Sequence, residues 1–225
     1  MPDDSVQRAA YWPIPIARAI PAAAYALVIT FSADHSPRFG LITFGIFGIV
    51  AGIVLAVLAW YRLAGTPVRS FFLAQAGVTI AAGATALLLN GGGVGDLLLT
   101  VTIFAAITGV LELYSGLRTR SRFVASGDWM AVGAFTAVTG LALVLIPPDY
   151  LQTYLGPDHV RRVLDASLTA VGVLGAYAAI VTVYLVIAGL SAKWGPQAAA
   201  VPNAAVAAQT TADPTAVAAE SESTS

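Results

Sequence analysis

Residues 41–60 read LITFGIFGIVAGIVLAVLAW, twenty positions without a charged side chain. A helix needs about 20 mostly apolar residues to cross the hydrocarbon core of a bilayer. We therefore predict a transmembrane helix here. The pattern of such stretches along the chain then decides the fold class.

Five further stretches of this kind are bounded by proline, glycine or charged clusters. The predicted fold is all-α, a polytopic membrane bundle of six transmembrane helices at about residues 16–33, 41–60, 68–89, 97–117, 129–146 and 163–190. The last helix begins at 163, or as early as Asp158, because Pro157 suits a first turn and HVRRVLDASL holds no breaker. We expect a cytoplasmic segment at 1–15, the membrane domain at 16–194 and a disordered cytoplasmic tail at 195–225, where Ala, Thr, Ser and Pro dominate.

The composition excludes several classes of protein. Charged residues make up 10% and hydrophobic residues 58% of the chain, whereas soluble domains carry about 25% charge. No basic patch of the size that nucleic acids require is present. The chain has no Cys, which excludes disulfides, a thiolate nucleophile, iron–sulfur clusters and Cys-ligated zinc. An integral membrane protein remains.

The distribution of basic residues predicts the orientation. Seven lie in the N-terminus, the second and fourth loops and the segment after helix 6, against three in the opposite loops. Under the positive-inside rule both termini are cytoplasmic. A cleaved signal peptide is the alternative for helix 1. Pro13, Pro15 and Pro21 interrupt that helix, and bulky Phe31 occupies a cleavage-site position that requires a small residue, so we do not favour cleavage.

The chain resembles itself at an offset of 57 residues. LITFGIFGIVAG (41–52) aligns without gaps to LLTVTIFAAITG (98–109), and the same offset pairs Phe72 with Trp129. A third unit, helices 5 and 6, fits only with an insertion in the loop 147–165. We predict three tandem helical hairpins related about an axis along the membrane normal. Such symmetry provides no obvious inward-facing and outward-facing pair of states, which argues against a transporter.

Small residues mark the helix faces expected to pack. Gly45, Gly48 and Gly52 form a stripe on helix 2, while Gly109 and Gly116 lie on the equivalent stripe of helix 4. Small residues let neighbouring backbones approach closely in membranes. We predict helix packing at these five glycines, and not a ligand site.

Two stretches give the chain a family resemblance. TIFAAITGVLELYSGLRTR (102–120) combines small residues, an embedded acid and a basic end, and GDWMAVGAFTAVTGLALVLIPP (127–148) follows it. With six spans in repeated hairpins, residues 16–190 resemble the HdeD-like family of small bacterial inner-membrane proteins. The long fifth loop and the Ala-rich tail depart from that pattern. The resemblance implies a non-enzymatic protein connected with envelope or acid stress, and it supplies no catalytic residues.

Two ionisable residues lie within the predicted spans, Arg18 in helix 1 and Glu112 in helix 4. Such residues are costly in a membrane and normally have a partner or a wet cavity. Both fall at comparable depth, so we predict an intramembrane charge pair, with Gln75 and Tyr114 as further polar partners. Alternatively, Arg18 reaches the headgroups and Glu112 is wetted or protonated. A further hypothesis makes Glu112 a proton-sensitive site.

The other candidate groups have simpler interpretations. The cytoplasmic basic cluster Arg118, Arg120 and Arg122 touches anionic lipid or merely sets topology. The run NGGGVGD (90–96) lacks the lysine of a phosphate-binding loop and indicates a turn. His35 and His159 lie in outer loops without metal-ligand spacing. We predict no metal site, no cofactor and no catalytic residues.

Two functions follow as hypotheses. The first is a non-enzymatic, structural or stress-associated membrane protein whose partners are the lipid bilayer, other membrane proteins or a second copy of itself. The second is a small transporter or channel with Glu112 and Arg18 lining its path.

Overall fold

The computed structural model describes residues 4–66, 68–120, 123, 125–157 and 159–194. Their elements in chain order are α1 Asp4–Tyr11, α2 Pro13–Phe31, α3 Pro37–Arg62, α4 Arg69–Leu88, α5 Val94–Arg118, α6 Ser126–Val144, β1 Leu151–Leu155, β2 Arg161–Asp165 and α7 Ala166–Trp194. Helices α2 to α7 are long and apolar enough to cross a membrane. The predicted all-α, six-helix membrane bundle is confirmed. The predicted tail at 195–225 lies outside the described residues.

Two helices begin earlier in the chain than hydropathy predicts. Helix α3 begins at Pro37, because the Ser36 hydroxyl accepts a hydrogen bond from the Phe39 N–H at 3.2 Å and proline suits a first turn. It then runs for 26 residues, about 39 Å at the α-helical rise. Helix α2 similarly begins at Pro13, inside the predicted 1–15 segment.

The chain between α6 and α7 forms a β-hairpin, so the extension of the last helix to residue 158 is wrong. Strands β1 and β2 pair antiparallel, with Leu151 opposite Asp165 and Leu155 opposite Arg161. The turn is closed by Gly156 N–H donating to Val160 O at 2.9 Å. The residues of RRVLD have a non-local hydrogen-bonding partner in LQTYL, and β-branched and aromatic residues such as Thr153 and Tyr154 fit a strand.

The six long helices form a closed ring of three antiparallel pairs. The extensive contacts are α3 with α4, α5 with α6, and α2 with α7, and the shorter contacts of α2 with α3, α4 with α5, and α6 with α7 complete the ring. The first two pairs are the expected hairpins. The third joins the first and last transmembrane helices, whereas we expected helices 5 and 6 to supply it. In this ring α2 and α5 are on opposite sides.

The five predicted packing glycines lie where their helices meet. A Cβ on Gly48 would be 2.9 Å from Gly83 Cα, and a Cβ on Gly116 would be 2.8 Å from Ser126 O. The same holds for the other three, with nearest approaches of 2.6 Å at Gly45, 2.5 Å at Gly52 and 3.1 Å at Gly109. At all five positions a methyl group would lie closer to the neighbouring helix than ordinary van der Waals contact allows, so the helices are in close contact at these points.

The glycine contacts also recur along the chain. Gly52 packs against Ala76 O and Ile80. The three positions 57 residues later repeat this contact, since Gly109 packs against Gly133 O and Ala137. The pair formed by α7 and α2 follows the same arrangement. Gly189 meets Trp12 O and Ile16, as Gly116 meets Ser126 O and Met130.

Candidate functional site

A cavity of about 70 Å³ lies inside the ring and is lined by residues of all six long helices. That volume accommodates a few water molecules, each of which needs polar partners. The polar groups at the cavity come from seven side chains, namely Arg18, Gln75, Thr79, Thr108, Glu112, Thr136 and Tyr177. We take this cavity as the candidate functional site.

Glu112 is at the centre of the polar groups. Its side chain is 2% exposed, and its Oε1 lies 2.6 Å from Arg18 Nη2. Its Oε2 accepts a hydrogen bond from Gln75 Nε2 at 2.9 Å. Arg18 and Glu112, which the sequence predicts at similar depth in the membrane, are therefore in contact. Gln75 joins them through its hydrogen bond to Glu112.

This pair is a buried one, and burial determines what it contributes. Removing two charges from water costs several kcal/mol per ion, and their attraction offsets this only with good geometry and further hydrogen bonds. The amide of Gln75 supplies such a bond to the carboxylate. The paired state is consequently far more stable than either charge left alone in the same place.

The threonines beside the pair are hydrogen-bonded within their own helices. Thr79 donates its hydroxyl hydrogen to Gln75 O at 2.7 Å, and Thr108 donates to Phe104 O at 2.7 Å. Thr136 Oγ1 lies 2.9 Å from Val132 O and 2.8 Å from the Tyr177 hydroxyl. Since the hydrogens of Thr79 and Thr108 are engaged, these hydroxyls present lone pairs to the cavity, which suits water or another donor.

The lining residues fall into sets of three when the helix pairs are aligned by their glycine contacts. In each set the first two members are 57 residues apart and the third comes from α7 or α2. The sets are Phe47, Phe104 and Tyr177; Ala51, Thr108 and Val181; Leu55, Glu112 and Leu185; Gln75, Val132 and Arg18; Thr79, Thr136 and Ala22. Glu112 thus occupies a position that is leucine in the other two pairs. Together with Gln75, the two charges interrupt a layer whose other members, Leu55, Leu185 and Val132, are apolar.

A second polar cluster lies near the N-terminal end of α6, and sequence reasoning missed it. Asp128 accepts hydrogen bonds from the Tyr11 hydroxyl and from the Tyr184 hydroxyl, both at 3.1 Å. Next to it Trp129 packs edge-on to Phe72, with ring centroids 4.9 Å apart. An acid in the first turn of a helix was the available signal, but its tyrosine partners are distant in sequence.

The remaining predicted site residues lie away from the cavity. Tyr114 is 44% exposed and accepts a hydrogen bond from Arg118 Nη1 at 3.0 Å, so it is no partner of Glu112. Arg118 and Arg120 are both exposed, and Arg122 lies outside the described residues. Within the described ranges, no group of three or more His, Asp or Glu side chains is arranged to hold a metal ion.

Comparison of the chain with protein-family models, with curated proteins and with solved structures gives no match. The site is therefore interpreted from its own geometry. It is a buried, hydrogen-bonded ion pair at a small cavity within a six-helix membrane bundle.

Proposed function

We propose that this chain is a non-enzymatic, structural membrane protein that acts through its packed bundle and through contacts with lipid and other membrane components. The observation that supports this proposal is the closed interior of the helix ring. Three glycine-lined helix pairs meet around a cavity of about 70 Å³, and the charges beside it are bound to one another. A scaffold of this kind presents a rigid surface to the bilayer.

The outer surface supports this proposal. Large apolar side chains point outward along the helices, among them Ile103 and Val110 on α5 and Val138 and Leu141 on α6, each at least half exposed. Apolar side chains in this position are satisfied by lipid tails or by a neighbouring membrane helix. Partners of the protein would be recognised on this surface, either as other membrane proteins or as a second copy.

We further propose the finer assignments that the sequence suggests. The protein belongs to the bacterial inner membrane with both termini in the cytoplasm, it is related to the HdeD-like family, and it serves the envelope under acid or other stress. It contains an internal threefold repeat. The recurrence of the glycine contacts at 57 residues supports the repeat, and the excess of basic residues on one side supports the orientation.

A deletion strain tests the role in the envelope. We expect greater uptake of a membrane-impermeant dye after acid exposure than in the parent strain, and restoration by the wild-type chain. The Gly83→Leu variant should not restore the barrier, since a Cβ at that position meets the backbone of α3 at 2.7 Å, whereas Gly77→Leu, which meets nothing within 4 Å, should. Equal dye uptake with and without the gene would reject this role.

One observation favours a small transporter as the second candidate. The Arg18–Glu112 pair borders a cavity that all six helices line, and intramembrane charges often mark ion pathways. Purified protein in liposomes decides between the two. A proton-dependent or solute-dependent flux that Glu112→Gln abolishes would establish transport. Absence of flux alongside a permeability defect in the deletion strain would establish the structural role.

A further inference from the structure

The strands of the β-hairpin between α6 and α7 carry their exposed aliphatic side chains on one face. Opposite residues of an antiparallel pair project to the same side, so the register places Leu151, Leu155, Val163 and Arg161 together with Thr153 and Asp165. The three apolar side chains are 68%, 61% and 49% exposed. We call these three residues with Arg161 the hairpin's lipid face. Gln152, Tyr154, Arg162 and Leu164 lie on the reverse side.

The described residues leave this face uncovered. All five residues of β1 are exposed, as are the first three of β2. An isolated two-stranded hairpin is marginally stable in water and needs a further layer against an apolar side. The hairpin's lipid face therefore requires a covering surface that the rest of the described chain does not provide.

The nearest such surface is the bilayer itself. Strand β2 ends at Asp165 and the transmembrane helix α7 begins at Ala166 with no intervening residue. Six residues separate the end of α6 at Val144 from the start of β1 at Leu151. The Ala166 N–H donates to Tyr150 O at 3.0 Å, so the hairpin end nearest the helices is held at the start of α7. The hairpin thus emerges at the level where the helices leave the hydrocarbon.

The charge of the face fits a phospholipid headgroup. Arg161 is exposed beside Leu155 near the turn. The acid of this face, Asp165, is at the other end, and its Oδ1 already accepts from the Leu168 N–H at 2.7 Å and the Ser167 hydroxyl at 2.8 Å. An arginine next to inserted apolar side chains is the arrangement that binds lipid phosphate at a membrane interface. Headgroup binding also gives a role to Arg161, which lies on the predicted outer side of the membrane, where the positive-inside rule does not require basic residues.

We propose that the hairpin's lipid face lies on the leaflet from which it emerges, with Leu151, Leu155 and Val163 inserted and Arg161 bound to the phosphate of an anionic phospholipid. The protein then contacts this leaflet through a lipid-binding strand pair in addition to its helices. This inference is independent of the proposed function, because it holds for a scaffold and a transporter alike.

The absence of Cys from the chain permits a direct test. Single-cysteine variants Leu155→Cys and Val163→Cys report on the lipid face, and Tyr154→Cys is the matched control on the reverse side of the same strand. Each full-length variant is labelled with an environment-sensitive fluorophore and placed in nanodiscs at one copy per disc. The discs contain either phosphatidylcholine alone or phosphatidylcholine with phosphatidylglycerol, and acrylamide serves as the neutral aqueous quencher.

We expect labels at 155 and 163 to be quenched about threefold less than the label at 154, because inserted side chains lie below the aqueous phase. Phosphatidylglycerol should favour the lipid-bound state of the hairpin further. The equilibrium constant between the bound and unbound hairpin should rise about fivefold, as expected for one basic residue at an anionic surface. Arg161→Gln should remove that additional shift and leave the protection in phosphatidylcholine.

Three results would overturn the proposal. Equal quenching at 154 and 155 in both kinds of disc would place the face in water. Protection that needs two copies per disc would assign the face to a second copy of the chain. A phosphatidylglycerol effect that survives Arg161→Gln would separate Arg161 from headgroup binding. Unchanged thermal unfolding of each labelled variant confirms that the comparison is made on folded protein.

Discussion

Arg18 Nη2 lies 2.6 Å from Glu112 Oε1, although the helices that carry these residues, α2 and α5, are on opposite sides of the ring. The pair therefore joins two helices that share no extensive interface of their own. The contribution of the pair to the free energy of unfolding can be measured by substituting first one of the two residues and then both.

Glu112→Leu should destabilise the bundle by about 3–5 kcal/mol, because it leaves the Arg18 guanidinium buried without its partner. Leucine fits the local space, since Leu55 and Leu185 occupy the corresponding positions of the other helix pairs. Equilibrium unfolding in detergent measures the change.

The double variant Arg18→Val/Glu112→Leu is the control for that experiment. Val132 occupies the position that corresponds to Arg18, so the double variant removes both charges and should recover part of the lost stability. The buried Gln75 amide, which loses its acceptor on Glu112, limits the recovery by about 1–3 kcal/mol. The single variants Arg18→Val and Glu112→Leu complete the cycle. If the loss of stability in the double variant equalled the sum of the losses in the two single variants, the two residues would not interact.

Gly83→Ala should destabilise the bundle by about 1–3 kcal/mol. The new Cβ would lie 2.7 Å from Gly45 O and 2.8 Å from Ile49 N, and backbone atoms cannot give way as a flexible side chain can. Gly77→Ala on the same helix meets nothing within 4 Å and should be neutral, or stabilising by less than about 1 kcal/mol through helix propensity. Thermal unfolding of the two variants compares them, and equal changes would show that close packing at Gly83 is unimportant.

The start of α7 should be sensitive to acid. Hydrogen bonds from the backbone N–H of Leu168 and from the Ser167 hydroxyl lower the pKa of Asp165. A lowered pKa in the folded state stabilises the protein above the unfolded-state value of about 3.9, and this stabilisation is lost as the pH falls through the folded-state value. The protection factor of the Leu168 amide, which is its exchange rate relative to the intrinsic rate at the same pH, should therefore fall below about pH 4.

Substitutions at Asp165 separate the cap from the titration. Asp165→Asn keeps an acceptor for the Leu168 N–H and should remove the acid-dependent change. Asp165→Ala should cost about 1 kcal/mol at neutral pH as a lost N-terminal cap. If Asp165→Asn retained the acid response, another group would be its source.

Tyr11→Phe should loosen α1. It removes the hydrogen bond from the Tyr11 hydroxyl to Asp128 Oδ2, which is worth about 1 kcal/mol. Faster hydrogen exchange is expected across Asp4–Tyr11, with exchange in the transmembrane helices unchanged. Tyr184→Phe removes the other bond to Asp128 but leaves α1 attached, so identical exchange of α1 in the two variants would contradict this assignment.

The hydropathy of the chain predicted the number and approximate places of the membrane helices because each span has its own apolar stretch. It also placed Arg18 and Glu112 at one depth, since depth follows from the distance to a helix end. The amide of Gln75 was among the named partners for the same reason. The involvement of Tyr114 was wrong, because depth says nothing about the direction in which a side chain points, and Tyr114 lies on the outer surface of α5.

Three other features that depend on residues far apart in sequence were not predicted. The strand Arg161–Asp165 has no helix breaker and becomes a strand through pairing with Leu151–Leu155. In the contact of α2 with α7, Ile29 lies against Gly175; the small residue marks a packing position on α7, but nothing local identifies α2 as the helix that packs there. The cluster around Asp128 depends on tyrosines from α1 and α7. In each case the deciding partner is supplied by tertiary structure.

The pairing of α2 with α7 has a consequence for biosynthesis. Chains are made from the N-terminus, so α2 enters the bilayer first and the helix that covers it is translated last. Until Glu112 is made, Arg18 is held in a nascent chain without its counter-ion, and the positions of Ile16 and Ile29 that meet Gly189 and Gly175 have no protein against them. Closure of the ring thus cannot precede the synthesis of α7, and until then the side of α2 that α7 covers is open to lipid or to another membrane protein.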